Sequence, residues 1–239
     1  MSRPFIRWFR LGILALPLAF GCGNDSSFDP NRDLKLRIVN ASTAAGGSAE
    51  LLLDGQSAGL LTYGQSTPYF TATGGGHTIE MRDEPTDGVP GPLLFTTNVT
   101  LSAGEFQTVI VTGSASDLAA ITTTEESEAG SGTFLLRVVH AGPTTPSLDL
   151  YVNAQGTDIN TVSPLISGID PREVTAYQTI PVGTYQVRLT LAGTKDPLIS
   201  ANGLTIQEGQ VASLLVLDNP TPGSPPAGFV VPDGGDLNP

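Results

Sequence analysis

The chain is poor in cysteine, tryptophan and basic residues. Its 239 residues hold one cysteine, Cys22, and one tryptophan, Trp8, which excludes a disulfide within the chain. Eleven basic residues stand against 23 acidic ones, and the formal net charge is −12. An acidic chain without a basic patch is repelled by the phosphate backbone of DNA or RNA. Nucleic-acid binding is therefore excluded.

Long apolar runs are also missing. A membrane-spanning helix needs about 20 apolar residues, and the run at 11–20 is too short for one. It follows Arg3, Arg7 and Arg10 and ends at Gly21. A positive start, a short apolar core and a small-residue exit are typical of a secretory signal peptide. We therefore expect residues 1–21 to direct export.

Cys22 comes directly after this apolar run. The stretch 18–22 (LAFGC) resembles the lipobox of bacterial lipoproteins, although the commonest form has Leu in place of Ala19 and a small residue in place of Phe20. The resemblance implies that Cys22 becomes the mature N-terminus and carries a covalent diacylglycerol and an N-acyl chain. We expect no other cofactor. Two or three acyl chains anchor a protein stably to a membrane.

A plain signal peptide with a stray thiol is the alternative. Exported proteins seldom keep one unpaired cysteine by accident, so the lipoprotein interpretation is favoured. Gly23 stands where an Asp would be the usual inner-membrane retention signal of enteric-type bacteria. We therefore expect a membrane-anchored lipoprotein in the outer membrane of a Gram-negative bacterium.

Two blocks of the sequence resemble each other. LKLRIVNAS (34–42) parallels FLLRVVHAG (134–142), and 92–111 parallels 197–216 at an offset of 105. Internal repetition of this kind predicts two copies of one domain. The predicted organisation is a lipidated N-terminus and tether at 22–33, repeat one at 34–122, a flexible acidic linker at 123–132, repeat two at 133–232 and a tail at 233–239.

Both copies alternate apolar and polar residues. Leu34, Leu36 and Ile38 alternate with Lys35 and Arg37, a period of two that is typical of half-buried strands. We count about seven short strands per copy, separated by frequent turns, and no amphipathic helix pattern. The predicted fold class is all-β, with two tandem immunoglobulin-like β-sandwich domains behind a lipoprotein signal peptide.

The stretch 136–153 (LRVVHAGPTTPSLDLYVN) resembles a known family, the tandem β-sandwich repeat called domain of unknown function 4397. Gly142 stands where the family has Ser, and repeat one departs further, with Asn40 in place of the histidine. The resemblance covers about 34–232 and implies a β-sandwich and an exported location, but no activity. The matching motif residues, with structural roles, are His140, Pro143, Pro146, Asp149, Tyr151, Tyr177, Gly183 and Tyr185.

His140, Ser147 and Asp149 also suggest a hydrolase. Such an enzyme needs a nucleophile, base and orienting group in hydrogen-bond reach, and Ser147 lacks the G-x-S-x-G nucleophile elbow. We expect the His140 ring to satisfy backbone groups of the loop 142–147 instead. Asn40 can fill the same role in repeat one without shuttling protons.

The sequence also has few of the residues that would form a metal site or a sugar-binding site. Two histidines and one lipidated cysteine leave no transition-metal cluster. Asp29, Asn31 and Asp33 mimic the first ligands of an EF-hand loop, but its Gly and Glu are missing. Solvated turn acids are expected there and at Asp233, with calcium as the alternative. Trp8 lies in the leader, so no tryptophan platform for a sugar remains.

These patterns favour a lipid-anchored cell-envelope protein with a non-enzymatic binding or structural role. Its partners would be the membrane, through the lipid anchor, and an envelope protein or polysaccharide. The alternatives are an accessory hydrolase-like or ligand-capturing enzyme that uses His140, and an architectural spacer.

Overall fold

The computed structural model describes residues 29–221 and 224–234, and sixteen strands lie in them. Repeat one has β1 (Asp33–Ser42), β2 (Ala49–Leu53), β3 (Gln56–Leu61), β4 (Phe70–Thr73), β5 (Gly75–Asp83), β6 (Leu93–Leu101), β7 (Phe106–Gly113) and β8 (Ala119–Glu125). Repeat two has β9 (Thr133–His140), β10 (Leu148–Ala154), β11 (Ile166–Ile169), β12 (Gln178–Pro181), β13 (Gly183–Leu191), β14 (Pro197–Ile206), β15 (Val211–Leu217) and β16 (Ala227–Pro232), with a short 3-10 helix at Ile159–Thr161.

Both repeats fold into two four-stranded sheets with the same strand order. Repeat one has β4-β1-β7-β8 and β3-β2-β5-β6, and repeat two has β12-β9-β15-β16 and β11-β10-β13-β14. The predicted tandem β-sandwich is therefore confirmed. Eight strands per repeat replace the expected seven, because four-residue strands such as β4 are too short to show an alternating pattern.

A parallel strand pair occupies the centre of one sheet in each repeat. β1 pairs with β7, which sets Arg37 beside Thr108, and β9 pairs with β15, which sets Arg137 beside Ser213. The flanking strand pairs are antiparallel. The pairing places a charged side chain and a hydroxyl at the same point of both sheets.

Each sandwich has its own apolar core. In repeat one, Leu34, Leu36 and Ile38 of β1 pack with β2, β5 and β7 residues such as Ile79. In repeat two, Leu136 lies in the equivalent core. Burial of such side chains is the main force that holds each sandwich together.

A third apolar cluster lies between the two halves. Its buried members come from both repeats: Val39, Ala41, Ile110, Ile121, Val139, Ala141, Leu215 and Leu217. Side chains of a strand alternate between its two faces, so β1 points Leu36 and Ile38 into its own core and Val39 towards the other repeat. The prediction that β1 is half-buried is therefore wrong. The sheet β4-β1-β7-β8 packs on the sheet β12-β9-β15-β16, and both of its faces are covered.

The bounds of the linker and tail differ from the sequence expectation. β8 runs to Glu125, three residues into the segment 123–132, and Ala129 within that segment is buried. Asp233, the first residue assigned to the tail, is 2% exposed. The carboxylates of Glu125 and Asp233 both make contacts between the two halves, as described below. No helix in the described part of the chain has the length and apolar character to cross a membrane.

Candidate functional site

A buried polar cluster lies between the two halves. It contains two arginines and two carboxylates, and each is 6% exposed or less: Arg37, Glu125, Arg137 and Asp233. The four residues form two repeat-equivalent pairs, one arginine on the first strand and one carboxylate at the end of the last strand of each repeat. Charges buried this deeply need partners, because burying an isolated charge destabilises a folded protein by about several kcal/mol.

Arg37 contacts both carboxylates. Its Nη2 lies 3.0 Å from Oε1 of Glu125 and 3.0 Å from Oδ1 of Asp233. Its Nη1 donates to the carbonyl of Pro232 at 2.7 Å, and its Nε donates to Oγ1 of Thr108 at 3.0 Å. One guanidinium therefore joins the ends of both repeats.

Arg137 makes the matching contacts from the other side. Its Nε donates to Oγ of Ser213 at 2.7 Å, and its Nη1 donates across the interface to the carbonyl of Thr124 at 2.7 Å. Its Nη2 lies 3.7 Å from Oδ2 of Asp233. The arginines thus reach across the interface in both directions.

A tyrosine completes each arginine–carboxylate pair. The hydroxyl of Tyr69 donates to Glu125, and that of Tyr177 donates to Asp233 at 2.7 Å. The guanidinium carbon of Arg37 lies 4.8 Å from the centre of the Tyr69 ring, and that of Arg137 lies 4.5 Å from the centre of the Tyr177 ring. Cation–π contacts of this kind strengthen when they are desolvated.

Burial shifts the pKa values of three groups in the cluster. It raises the pKa of Tyr69 and of Tyr177 far above 10.0, so both hydroxyls remain donors. Burial, assisted by the Glu125 carboxylate, also raises the pKa of Asp233, while Ser213 and the other donors oppose this shift. The donors and acceptors of the cluster satisfy one another, and its hydrogen bonds and ion pairs connect the two repeats.

His140 lies at the end of β9 with both ring nitrogens engaged. Nδ1 accepts from the backbone N–H of Gly142 at 3.3 Å, and Nε2 lies 3.2 Å from the carbonyl of Pro146. Nε2 therefore carries the proton. Asn40 matches one of these contacts in repeat one, since its Oδ1 accepts from the N–H of Ser42, while its Nδ2 donates to the carbonyl of Leu61 at the end of β3.

The three residues that suggested a hydrolase have separate partners. Ser147 donates to Asp170, and Asp149 accepts from the N–H groups of Gly168 at 2.8 Å and Gly193 at 2.9 Å. A catalytic serine would need the imidazole as its acceptor, but both nitrogens of His140 face backbone groups. The structure links none of the three to another by a side-chain hydrogen bond, so they form no catalytic chain.

The two motif prolines shape the loop that His140 supports. Pro143 follows Gly142 in a turn that the N–H of Thr145 closes on the carbonyl of Gly142 at 3.2 Å, and proline suits this position of a β-turn. The carboxylate of Asp218 accepts from the N–H groups of Thr144 and Thr145. Pro146 supplies the carbonyl that faces the histidine.

The remaining motif residues lie in three different places. Tyr177 lies in the interface, whereas Tyr185 packs against the core of repeat two and donates to the carbonyl of Pro181 at 2.9 Å. A Cβ on Gly183 would come within 3.2 Å of the Tyr185 ring. Tyr151 is buried outside that core, with Nζ of Lys195 4.7 Å from its ring centre.

The family model described as "Domain of unknown function (DUF4397)" matches residues 34–151 and 134–235. The two matches cover most of the chain. The chain belongs to this family. The second match of the DUF4397 chain covers the second sandwich, and the first covers the first sandwich and runs on through β9 into β10.

No curated protein matches the chain. Two solved structures are similar to it. The Bacillus anthracis TIE protein is 12% identical with a TM-score of 0.23, and the alignment covers 78% of this chain. The DUF4397 chain spans about a third of that protein, 33%. A family 26 carbohydrate-binding module from Eubacterium rectale Amy13K, solved with maltoheptaose, is 11% identical with a TM-score of 0.25, over 83% of this chain and 96% of that one. At these TM-scores neither likeness bears on the function of the DUF4397 chain.

Cys22 lies outside the described residues, so its lipidation stays a prediction. The calcium alternative falls on Asp29 and Asp33, whose carboxylates serve the local turn: Asp29 accepts from the N–H of Asn31, and Asp33 accepts from that of Asp29. Within residues 29–221 and 224–234, no three His, Cys, Asp or Glu side chains are grouped so that they could hold a metal ion.

Sequence reasoning missed most of the interface cluster. It named Tyr177 as a structural motif residue, Arg37 only as a polar position of a strand and Asp233 as turn material. It gave Tyr69, Glu125 and Arg137 no role. A signal was present, because an arginine recurs inside an apolar strand of both repeats, in LRIV and LRVV. In the structure each of these arginines lies on the face of its strand that the other repeat covers.

Proposed function

We propose that this DUF4397 protein is an exported, lipid-anchored cell-envelope protein whose two repeats act as one rigid, non-enzymatic module. The observation that carries the proposal is the contact of Arg37 with both Glu125 and Asp233 at 3.0 Å. It joins the repeats through a buried interface. A joined pair presents its outer surfaces in a constant relative orientation, which suits a binding or spacing role better than two loosely linked domains do.

The contacts of the chemically active side chains support a non-enzymatic role. His140, Ser147 and Asp149 are each engaged in hydrogen bonds that shape loops. Catalysis by such a trio requires the serine and imidazole to be within hydrogen-bond reach of one another. The hydrolase alternative therefore requires a rearrangement of the loop.

The lipid anchor is supported by the sequence before the sandwiches. The stretch 18–22 resembles a lipobox, and the tether 22–33 precedes the first strand. Residues 29–33 form a turn and the start of β1, so only the seven residues 22–28 could extend, by roughly 25 Å at about 3.5 Å per residue. The repeats would therefore stay near the membrane that holds the acyl chains.

Metabolic palmitate labelling tests the anchor. The wild-type protein is expected to incorporate label and to enter the detergent phase, and Cys22→Ser is expected to do neither. A Ser26→Ala variant in the tether serves as the matched control and should behave as the wild type. Label that persists in Cys22→Ser would overturn the anchor.

Membrane fractionation tests the outer-membrane assignment. In an enteric-type host, Gly23→Asp should move the protein to the inner membrane, while the wild type sediments with the outer membrane. A wild-type protein in the inner-membrane fraction would contradict the assignment.

An activity screen tests the non-enzymatic role. The wild-type protein is expected to hydrolyse no ester substrate above the background rate. If it does, and if folded His140→Asn loses that activity, the binding role is wrong.

Proximity labelling from the anchored protein then separates a binding module from a spacer, since a spacer has no saturable partner. A protein or polysaccharide partner remains a prediction.

A further inference from the structure

β6 forms one edge of the sheet β3-β2-β5-β6. From Phe95 to Leu101 its register with β5 is unbroken. This segment, FTTNVTL, contains no charged residue, no proline and no glycine. Within the described part of the chain no strand pairs with its other side, so backbone N–H and C=O groups face outwards along its length.

The equivalent edge of repeat two is protected. β14 begins at Pro197, contains Gly203 with a φ of +69°, and has two register shifts against β13. Proline, glycine and bulges at an edge are the features that natural proteins use to prevent edge-to-edge pairing. β6 has one irregularity, next to its first residues, so the two repeats differ at this edge.

The side chains of β6 suit an added strand on both faces. Phe95 and Val99 point towards the core of repeat one but are half-buried, because no strand lies beyond them. Thr96, Asn98 and Thr100 are exposed on the opposite face. A neighbouring strand would cover the apolar pair and add threonine and asparagine cross-strand contacts, which stabilise sheets.

We propose that β6 is a self-association edge, on which β6 of a second copy of this chain pairs antiparallel about a two-fold axis near Asn98. In this register Thr96 lies opposite Thr100 of the other copy, and the two Asn98 residues face one another. The two four-stranded sheets then join into one.

Among the surfaces on which two copies could meet, charge favours this one. The chain has a net charge of −12, so most orientations of two copies bring acidic surfaces together, which is unfavourable. The segment from Phe95 to Leu101 is uncharged, and pairing it with itself sets no like charges opposite each other. A two-fold axis makes one patch serve as both halves of the interface.

Cysteine cross-linking in cells that express the full chain tests the pairing. In Asn98→Cys the two introduced thiols are expected to form a disulfide, because directly opposite Cα atoms lie about 4.5–5.5 Å apart and disulfides span about that distance. Ser200→Cys, exposed on β14, and the wild type with Cys22 alone are the controls. A covalent dimer specific to Asn98→Cys supports the proposal. A monomer, or a product joined to a different protein, overturns it.

Charge substitution at the same residue gives an independent test. The wild type is expected to be a dimer in detergent solution. Asn98→Lys and Asn98→Asp each set like charges across the axis, and each is expected to be a monomer there. Mixing the two variants should restore it. Because Asn98 is exposed, both variants are expected to fold. A dimer that persists in either variant alone would contradict pairing through β6.

Discussion

The carboxylates of Glu125 and Asp233 lie 3.0 Å from the same atom, Nη2 of Arg37. Glu125 ends the last strand of repeat one, and Asp233 directly follows the last strand of repeat two. A single side chain from the first strand of the protein therefore binds the end of each sandwich. We therefore expect the stability of each repeat to depend on the other.

Removing the charge of Arg37 should destabilise the protein strongly. In Arg37→Met the carboxylates of Glu125 and Asp233 keep their burial and lose their closest cation. Breaking a buried ion pair on one side costs about 3–5 kcal/mol. Urea unfolding measures the change. Arg82→Met is the control, because Arg82 and its partner Glu80 are both partly exposed, and such pairs contribute about 0–1 kcal/mol. Equal losses in both variants would refute the role of Arg37.

Alkaline pH should weaken the interface. Burial raises the pKa of Tyr69 and Tyr177 above the ordinary value of 10.0. Above pH 10 the unfolded chain ionises these tyrosines while the folded protein keeps them protonated, so stability is full below pH 10 and falls as the pH rises.

The double variant Tyr69→Phe/Tyr177→Phe isolates this effect. Plots of unfolding free energy against pH should run parallel for variant and wild type below pH 10, and above it the wild type should fall more steeply. Parallel curves above pH 10 would show that these hydroxyls are not buried in the folded protein.

His140 should tolerate asparagine better than leucine. Asn40 in repeat one also accepts from the N–H two residues further on and donates to a carbonyl, that of Leu61, so His140→Asn retains a donor and an acceptor. His140→Leu leaves the N–H of Gly142 and the carbonyl of Pro146 without their partner, at about 1–3 kcal/mol for each group left unsatisfied in a buried site. Thermal unfolding of the two variants measures the difference. Equal losses in the two variants would contradict a stabilising role for hydrogen bonds made by the side chain at position 140.

Gly142 should be coupled to Asp218. A Cβ on Gly142 would lie 2.7 Å from Oδ1 and 2.8 Å from N of Asp218. In repeat one the larger residue is on the other strand. Ser42 stands at the position of Gly142, and Gly113, whose φ is +106°, stands at the position of Asp218. Gly142→Ser should therefore cost about 1–3 kcal/mol, as overpacking does.

A double-mutant cycle measures this coupling. Asp218→Gly removes the carboxylate and frees the backbone to shift, so Gly142→Ser/Asp218→Gly should lose less stability than the two single variants added together. Strict additivity would mean that the residues do not compete for the same space.

The sequence predicts the sandwich well and the interface poorly, and β1 shows why. The alternation of Leu34, Leu36 and Ile38 marks a strand with a core face, because a period of two records burial of one face. Its other face contains Lys35 and Arg37, which resemble a solvated surface until a second sheet is placed against it. That sheet belongs to another domain, and a local pattern contains no information about it.

The position of Asp233 could not be predicted for the same reason. It follows the last strand in a glycine-rich stretch, a composition that is typical of an exposed turn. Its burial depends on Arg37, almost 200 positions earlier, and on Tyr177. The contacts of His140 were easier to anticipate, since its partners lie within six residues along the chain.

Differential scanning calorimetry of the intact protein tests most directly whether the two repeats form one rigid module. If the interface joins them as described, the wild type unfolds in a single transition whose calorimetric and van't Hoff enthalpies agree, and Arg37→Met broadens or divides it. Two separate transitions in the wild type would contradict the account, because the repeats would then fold independently.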